Sequence, residues 1–567
     1  MRRNSAFLPV AAACLAVLPA ALDGQVHRVK DTVHNLSASG PGRVRAASET
    51  EVCIFCHTPH GSSGVEPLWN RSLPVGPYQI YQSSSLKAKV GQPTGASKLC
   101  LSCHDGTIAL GSVLSRPQPI VMAGADRMPP GRTNLGTDLT DDHPISFAYA
   151  TSLTGGNPDL VAPAAIPPPV SLDKNGEVQC TSCHDAHDDG YGMFLVRAND
   201  RSALCTSCHR IPPWPTGAHA TSAGPVSGTA AARIAAPATT VADNACGSCH
   251  RPHGAPGKPW LLDGPNINST CQGCHDGTVS ARSIKGEIIK LSNHGIDVDS
   301  TPGSPGGPYL EGDRVTCGDC HDPHAAGSPE NLSPGVPASL ARVAGVNLAG
   351  ASVALLTRPE DLCFRCHGDG PARVPILLTR SITQPNIRLQ FQPNNPSFHP
   401  VGNPGANPLV PSLLPPLTVA SMISCVDCHD ADDSRRVGRS GPAGPHGSIY
   451  RPLLVRRYDT MDFSVESPAA FDLCYKCHQR DSILRDDSFK EHRKHVADER
   501  TPCSACHDPH GIYSGQGTSR KNAHLINFDR SIVFPSRSGR LEYASFGGGH
   551  GQCYLTCHGE NHDPETY

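Results

Sequence analysis

The sequence predicts a fold of mostly irregular coil, with short helices and a few strands, that does not depend on a large side-chain core. Glycine (55 residues) and proline (54 residues) make up almost a fifth of the 567 residues, against about 12% in an average protein. Aromatic residues amount to only 5%. A single hydrophobic core of this size would be unusual, and this composition is too poor in aromatic residues to form one. The 25 cysteines therefore indicate what holds the chain together.

Residues 1–24 have the pattern of an export signal. Two arginines are followed by an apolar stretch from Ala6 to Leu18 and then by small residues, and cleavage is expected between Ala20 and Gln25. The apolar stretch has about 13 residues and contains a proline, whereas a membrane-spanning helix needs about 20. Lipid attachment at Cys14 is an alternative, although the next four residues are apolar where a polar tether is expected. The prediction is an exported protein, in the periplasm or at the cell surface.

The charge of the chain does not indicate a nucleic-acid partner. The formal net charge is −3, the isoelectric point is about 6.8, and no stripe rich in lysine and arginine is present. No segment after the export signal is apolar enough to predict a transmembrane span.

Twenty-four of the 25 cysteines form twelve close pairs, and a histidine follows each pair directly. Eleven pairs have the spacing Cys-x-x-Cys-His, and the last has three residues between its cysteines. We number the motifs 1 to 12 along the chain and call them odd or even accordingly. They are Cys53/Cys56/His57, Cys100/Cys103/His104, Cys180/Cys183/His184, Cys205/Cys208/His209, Cys246/Cys249/His250, Cys271/Cys274/His275, Cys317/Cys320/His321, Cys363/Cys366/His367, Cys425/Cys428/His429, Cys474/Cys477/His478, Cys503/Cys506/His507 and Cys553/Cys557/His558.

This motif is typical of c-type haem attachment, in which two thiols bond to the porphyrin and the adjacent histidine binds the iron. Four-thiolate zinc sites or a disulfide framework would use the cysteines, but neither explains a histidine after every pair. The sequence therefore predicts twelve covalently attached haem c groups, with the twelve motif histidines as axial ligands. The fold would be organised around a continuous chain of these haems. The wider spacing of motif 12 leaves the geometry of its haem open.

A second set of histidines recurs at regular places and is predicted to supply the other axial ligand. Five odd motifs carry a histidine three residues after the motif histidine. Residues three apart in a helical turn lie about 5–6 Å apart on one face, so this histidine cannot reach the far side of the same iron but can reach a neighbouring one. Another histidine precedes each odd motif. The predicted distal ligands are His60, His187, His253, His324 and His510, then His446 for motif 9, which has Asp432 at the third position, and the upstream His34, His143, His219, His294, His399 and His495.

Five histidines remain outside this set: His27, His492, His524, His550 and His562. His27 and His492 are open alternatives to His34 and His495, respectively.

These motifs resemble the doubled-CXXCH multihaem c-type cytochromes. The resemblance rests on the alternation of Cys-x-x-Cys-His-x-Pro-His with plain Cys-x-x-Cys-His, and it extends over essentially all of the chain after the export signal. It implies haems with two histidine ligands and electron transfer outside the inner membrane. Asp432 and the wide spacing of motif 12 depart from the pattern. A single dodecahaem region, residues 25–567, is expected, made of six haem-pair modules at about 25–142, 143–218, 219–293, 294–398, 399–490 and 491–567.

Three functions remain open. The leading prediction is an electron conduit between redox partner proteins or extracellular acceptors, without catalytic residues. The alternative is a multihaem reductase acting on nitrite, hydroxylamine or sulfur oxyanions, which needs an iron with an open position; lysine in place of a motif histidine, the familiar device, is absent from all twelve motifs. A third possibility is a subunit of a filament or of an outer-membrane conduit.

Two local elements are predicted between the motifs. The segments 526–535 and 541–546, on either side of a Ser-Gly-rich turn, suggest a β-hairpin. The stretch from Leu340 to Leu356 suggests a short helix.

Overall fold

The computed structural model describes residues 28–64, 67–226, 238–296, 305–306, 310–311, 315–368 and 379–567. The predicted export signal and His27 lie outside these residues. Turns and coil dominate the described chain, interrupted by short helices and very short strands. The predicted fold class is therefore confirmed. Among the described residues, no helix combines the length and the hydrophobicity that crossing a bilayer requires.

The helices are short, and the first cysteine of each of motifs 1 to 11 lies in a helical turn. The α-helices are α1 Gly95–His104, α2 Tyr149–Thr154, α3 Ala218–Thr221, α4 Val241–Asn244, α5 Ile267–Gln272, α6 Ile284–Ile288, α7 Cys317–Cys320, α8 Glu360–His367, α9 Ile387–Gln390, α10 Asp472–Tyr475, α11 Arg480–Leu484 and α12 Cys503–Cys506. Single 3-10 turns include Cys53–Phe55, Cys180–Ser182, Cys205–Ser207, Ala245–Ser248 and Cys425–Asp427, which carry the remaining motifs. A π-helical turn covers Lys494–Asp498.

Most strands have two residues and pair in separate two-stranded sheets. They are β1 Arg45–Ala46, β2 Gln79–Ile80, β3 Met122–Ala123, β4 Asp138–Leu139, β5 Phe147–Ala148, β6 Glu177–Val178, β7 Ser292–Asn293, β8 Pro305–Gly306, β9 Leu310–Glu311, β10 Gly345–Val346, β11 Ser352–Val353, β12 Ser397–Phe398, β13 Gly447–Ser448, β14 Gly511–Ile512, β15 Glu542–Gly547, β16 His550–Cys557 and β17 Glu560–Thr566. The pairs are β1–β3, β2–β4, β5–β6, β7–β13, β8–β9, β10–β11 and β12–β14. The last three strands form one antiparallel sheet in the order β15–β16–β17.

Side-chain packing is divided into small clusters instead of one core. The largest cluster described combines Ala505, Phe528, Ile532, Val533, Tyr543 and Leu555, under the terminal sheet. The others contain three buried residues each, such as Phe364, Phe391 and Val401. Clusters of this size bury too little apolar surface to stabilise 567 residues, as expected for a chain that folds around bound groups.

The two predicted local elements are corrected by the structure. The segment 541–546 does form a strand, β15, but its hairpin partner is β16 and not 526–535. The turn consists of Gly547, Gly548 and Gly549, all with positive φ, a conformation that glycine adopts without steric cost. The helix predicted between Leu340 and Leu356 is wrong, because β10 and β11 pair there as a hairpin.

Candidate haem sites

The motif turn has the same backbone arrangement at most sites. In motif 1 the N–H of His57 donates to the carbonyl of Cys53 at 2.8 Å. The same bond, from the motif histidine to the first cysteine, recurs in motifs 3, 4, 5, 6, 7, 9, 10 and 11 at 2.8–3.0 Å. One helical turn therefore brings both thiols and the histidine to one side of the backbone.

Twenty-four histidines are arranged in twelve pairs, with ring centres 5.9–6.4 Å apart. At the odd motifs the pairs are His57–His187, His184–His253, His250–His324, His321–His446, His429–His510 and His507–His492. At even motifs 2 to 10 they are His104–His34, His209–His143, His275–His219, His367–His294 and His478–His399. The twelfth pair is His495–His562.

The separation within these pairs fits an iron between the rings. An imidazole nitrogen binds a metal ion at about 2 Å, and the ring centre lies about 1 Å beyond that nitrogen, so two rings on opposite sides of one metal have centres about 6 Å apart. Two imidazoles that merely stack or pack edge to face have no reason to repeat this spacing twelve times. The residues present therefore fit haems with two axial histidines.

The hydrogen bonds of the motif histidines leave the correct nitrogen for the metal. Nδ1 of seven of them lies 2.7–2.9 Å from a backbone carbonyl, in motifs 1, 2, 3, 5, 7, 9 and 11. A carbonyl only accepts, so Nδ1 must carry the proton and Nε2 keeps its lone pair. This is the usual arrangement of metal-binding histidines, whose second nitrogen is fixed by an outer hydrogen bond.

Burial favours the neutral form of several of these rings. Together with the nearby histidines, it lowers the pKa of His143, His429 and His507 to about 4. Only the neutral imidazole can bind iron. These three rings are therefore in the ligand-competent protonation state at neutral pH.

Neighbouring sites are linked through their distal histidines. Nδ1 of His34 donates to the carbonyl of Ala186, the residue before His187, at 3.0 Å. The same hydrogen bond, from Nδ1 of an upstream histidine to the carbonyl of the residue before a distal histidine, recurs in later modules. It joins His219 to Pro323, His294 to Pro445 and His399 to Pro509. For His143 the backbone N–H makes the bond, to Pro252.

Short strands hold these links in register. β7 ends immediately before His294, β13 begins immediately after His446, and the two strands pair. In the same way β12 precedes His399 and β14 follows His510, and they pair. A Cβ at Gly447 or Gly511, the first residues of β13 and β14, would collide with the carbonyl of Glu287 or Gln390. These glycines are required because the backbones approach so closely.

His446 supplies the distal histidine that motif 9 lacks at position 432, where the residue is Asp. It faces His321 at 6.2 Å and keeps the Pro-His dipeptide found at 252–253, 323–324 and 509–510. Asp432 is buried and accepts hydrogen bonds from Lys290 Nζ and from the N–H of Ile449. Motif 9 thus departs from the sequence pattern, but the distal histidine is supplied from another position in the same module.

The odd and even sites draw their second histidine from different modules. At the even motifs up to 10, both rings lie in one predicted module. At odd motifs 1 to 9, the partner comes from the next module along the chain. At motif 11 the partner is His492, which precedes the motif in the same module.

The thiols bring successive motifs into contact in chain order. Within each module the second cysteine of the odd motif feels the charge of a cysteine of the even motif, as Cys56 does from Cys103; burial, with that neighbour's help, raises the pKa of Cys56 to about 12. Between modules, first cysteines lie next to each other, in the pairs Cys100–Cys180, Cys205–Cys246, Cys271–Cys317, Cys363–Cys425 and Cys474–Cys503. Among the described residues no cysteine is joined in a disulfide.

Cys274 and Cys366, the second cysteines of motifs 6 and 8, show the contact within a module. Both are half-buried and lie near the odd motif of their own module, beside Cys249 and Cys320. Burial, with the help of these neighbours, raises the pKa of Cys249 and Cys320 to about 12. The attachment of haem to the individual cysteines of the twelve motifs stays a prediction from their spacing.

A buried arginine lies between motifs 1 and 2. Arg71 is 0% exposed and donates to the carbonyls of Leu110 and Ala109 at 2.7 and 2.9 Å. Among the described residues no carboxylate pairs with it, and its Nε has no partner. Arg71 lies beside Cys56 and Cys103, which is the thioether edge of the haems at motifs 1 and 2 and not their propionate edge. Among the described residues, carbonyl oxygens are therefore the groups that compensate its charge.

Four histidines are placed differently from their sequence-based assignment. His492 and His562, left outside the predicted ligand set, each face another histidine. Among the described residues, His60 and His558 face none. His60 is exposed. The Pro-His dipeptide gave the signal for His446, but no sequence signal distinguished His492 or His562.

The ring planes divide the twelve pairs into two groups. Seven pairs are within 11–41° of parallel, at the six odd motifs and His495–His562. Five, at even motifs 2 to 10, are inclined by 55–87°.

Parallel imidazoles split the iron d orbitals more strongly than perpendicular ones. Electron paramagnetic resonance of the oxidised, haem-loaded protein is therefore expected to resolve rhombic and strongly axial low-spin signals in a ratio near seven to five; a single class would contradict these ring orientations.

Comparison with known proteins agrees with the chemistry of the motifs. Residues 174–211 and 239–280 match a family described as the doubled CXXCH motif. These two segments contain motifs 3 to 6. The match supports a multihaem c-type cytochrome with covalently bound haem c. A search among curated proteins finds no match to this chain.

Proposed function

We propose that this protein carries electrons along twelve covalent haems, each with two histidine ligands, arranged in chain order from motif 1 to motif 12. The observation that supports this proposal most directly is the alternation of cysteine contacts, first within a module and then between modules. Thiols mark the edges of the haems that they hold, so successive haems would lie edge to edge. Haem supplies one-electron redox chemistry whose potential depends on axial ligands, burial and nearby charge.

The histidine pairs favour conduction over catalysis. A reductase needs an iron with one open position, whereas each motif histidine from 1 to 11 has a second ring at the distance of a shared ligand. The chain's residues then hold, orient and insulate the redox groups without presenting a substrate site.

The number of haems is tested by mass. Intact-mass analysis of the exported, processed protein is expected to give the chain plus twelve haems, because 24 cysteines form twelve close pairs in the sequence, each followed by a histidine. A mass with fewer haems identifies an unused motif, and peptide mapping of that protein would locate it.

The ligation is tested by spin state. The oxidised holoprotein is expected to be entirely low-spin, and the reduced protein should not bind carbon monoxide. A stoichiometric high-spin signal, or turnover of nitrite or hydroxylamine at an enzymatic rate, would instead support the reductase alternative.

We further propose that the protein works outside the cytoplasm and exchanges electrons with protein partners or extracellular acceptors. The export signal in the sequence supports this location. Cell fractionation combined with surface proteolysis separates a periplasmic carrier from a surface-exposed one, because only the latter is cleaved in intact cells.

A further inference from the structure

The C-terminal motif differs from the other eleven in its backbone. Cys553 and Cys557 lie on strand β16 and not in a helical turn. Successive residues of a strand point to opposite faces, so the two cysteines and Leu555 share one face. All three belong to or pack against the largest hydrophobic cluster. His558 directly follows Cys557 and is therefore not carried to the face of the thiols, as a helical turn would carry it.

His558 is held by two residues of a distant segment, Asp462 and Phe463. Its Nε2 lies 2.9 Å from Oδ1 of Asp462, and its ring stacks on Phe463 with centres 4.7 Å apart. In the motif histidines that are anchored through Nδ1, Nε2 is the nitrogen left for iron. At His558 this nitrogen is already bound to a carboxylate.

His562 lies where a motif histidine is needed. It is the cross-strand partner of Leu555 in the β16–β17 register, and directly opposed residues share a face of the sheet. His562 is thus on the same face as Cys553 and Cys557. Its ring faces His495 with centres 6.4 Å apart, within the range of the other eleven pairs.

The partner of His562 is the one that the repeat requires. In each of the first five modules, the upstream histidine faces the motif histidine of the even motif of that module. His495 is the upstream histidine of the sixth module and faces His562 instead of His558. It lies on a π-helical turn, a distortion often found at functional sites.

We propose that the iron of the haem attached to motif 12 is bound by His562 and His495, and that His558 is a positioning residue that fixes the hairpin to Asp462. The metal-binding pattern at this site is then Cys-x3-Cys-His-x3-His, with the ligand four residues after the expected one. This inference rests on the proposed attachment of a haem to Cys553 and Cys557.

The test compares variants of the full, haem-loaded chain. His562→Gly is expected to keep twelve haems by mass but to convert one iron of twelve to high-spin. That iron should bind carbon monoxide when reduced and return to low-spin when free imidazole is added. His558→Ala should keep every iron low-spin. His550→Ala, an exposed position on the same hairpin, is the matched control and should also leave the spectrum unchanged.

Methionine substitutions provide a second measurement, because they would add a new absorption signal instead of removing an iron ligand. His562→Met should introduce the absorption of a thioether-bound low-spin haem, whereas His558→Met should not. The inference is overturned if the high-spin iron or the thioether signal arises from the substitutions at His558 and not from those at His562. It is also overturned if the unsubstituted protein carries eleven haems with Cys553 and Cys557 free, a result that leaves a conduit through the other eleven sites intact.

Discussion

His324→Ala is expected to leave all haems attached and to open the iron at motif 5. The ring of His324 lies 5.9 Å from that of His250 and only 11° from parallel to it, and no cysteine is altered. The opened iron should turn high-spin and bind carbon monoxide in the reduced state. Its potential should rise because a strong donor to the oxidised iron is lost. Since motif 5 is an interior site, electron transfer from one end of the protein to the other should slow markedly.

His60→Ala is the matched control for this experiment. Both residues follow a motif histidine by three positions and both follow a proline, yet His60 is exposed and faces no other histidine in the described chain. The substitution should leave the spin state and the transfer rate of the isolated protein unchanged. If the two variants behave alike, the ligand role of His324 is wrong.

Arg71→Met is expected to have the largest effect on stability. The substitution removes a fully buried guanidinium that donates to three carbonyls, of Leu110, Ala109 and Ser102. It leaves these three buried carbonyls without their donor, and an unsatisfied buried acceptor costs about 1–3 kcal/mol. Amide hydrogen exchange in α1, which contains Ser102, should report this loss as a lower free energy of local opening.

Arg116→Met provides the comparison at the surface. Arg116 pairs with Glu49 at 3.2 Å, but 45% of its side chain is exposed. An exposed ion pair contributes at most about 1 kcal/mol, so this variant should exchange nearly as the unsubstituted protein does. Equal losses in both variants would show that the hydrogen bonds of Arg71 stabilise the protein no more than an exposed ion pair does.

The sequence predicted the haem chemistry and the fold class but not the way in which the sites are connected. Regular spacing showed that His324 must reach the iron of a neighbouring motif, since a histidine three residues after a motif histidine cannot reach the far side of the same iron. It did not show whether that neighbour precedes or follows in the chain. The choice depends on the hydrogen bond between His219 and Pro323 and on similar contacts between residues distant in sequence.

Motif 12 shows where a spacing pattern stops being informative. Cys553, Cys557 and His558 follow the motif closely in sequence, but the glycine turn at 547–549 places them in a β-hairpin. The change from helix to strand moves one histidine away from the thiols and brings another, His562, beside them. Spacing determines a site only if the backbone conformation is known.

The supply of histidines from one module to the next sets an order for assembly during synthesis and export. His57 is made before His187, and His184 before His253, so each odd site must wait for a segment that emerges later. Closing such long loops is slow compared with forming local turns. Maturation should therefore advance from the N-terminus, each new module completing the one before it. The final module ends this dependence, because His492 precedes His507 and the last odd site is complete without any further chain.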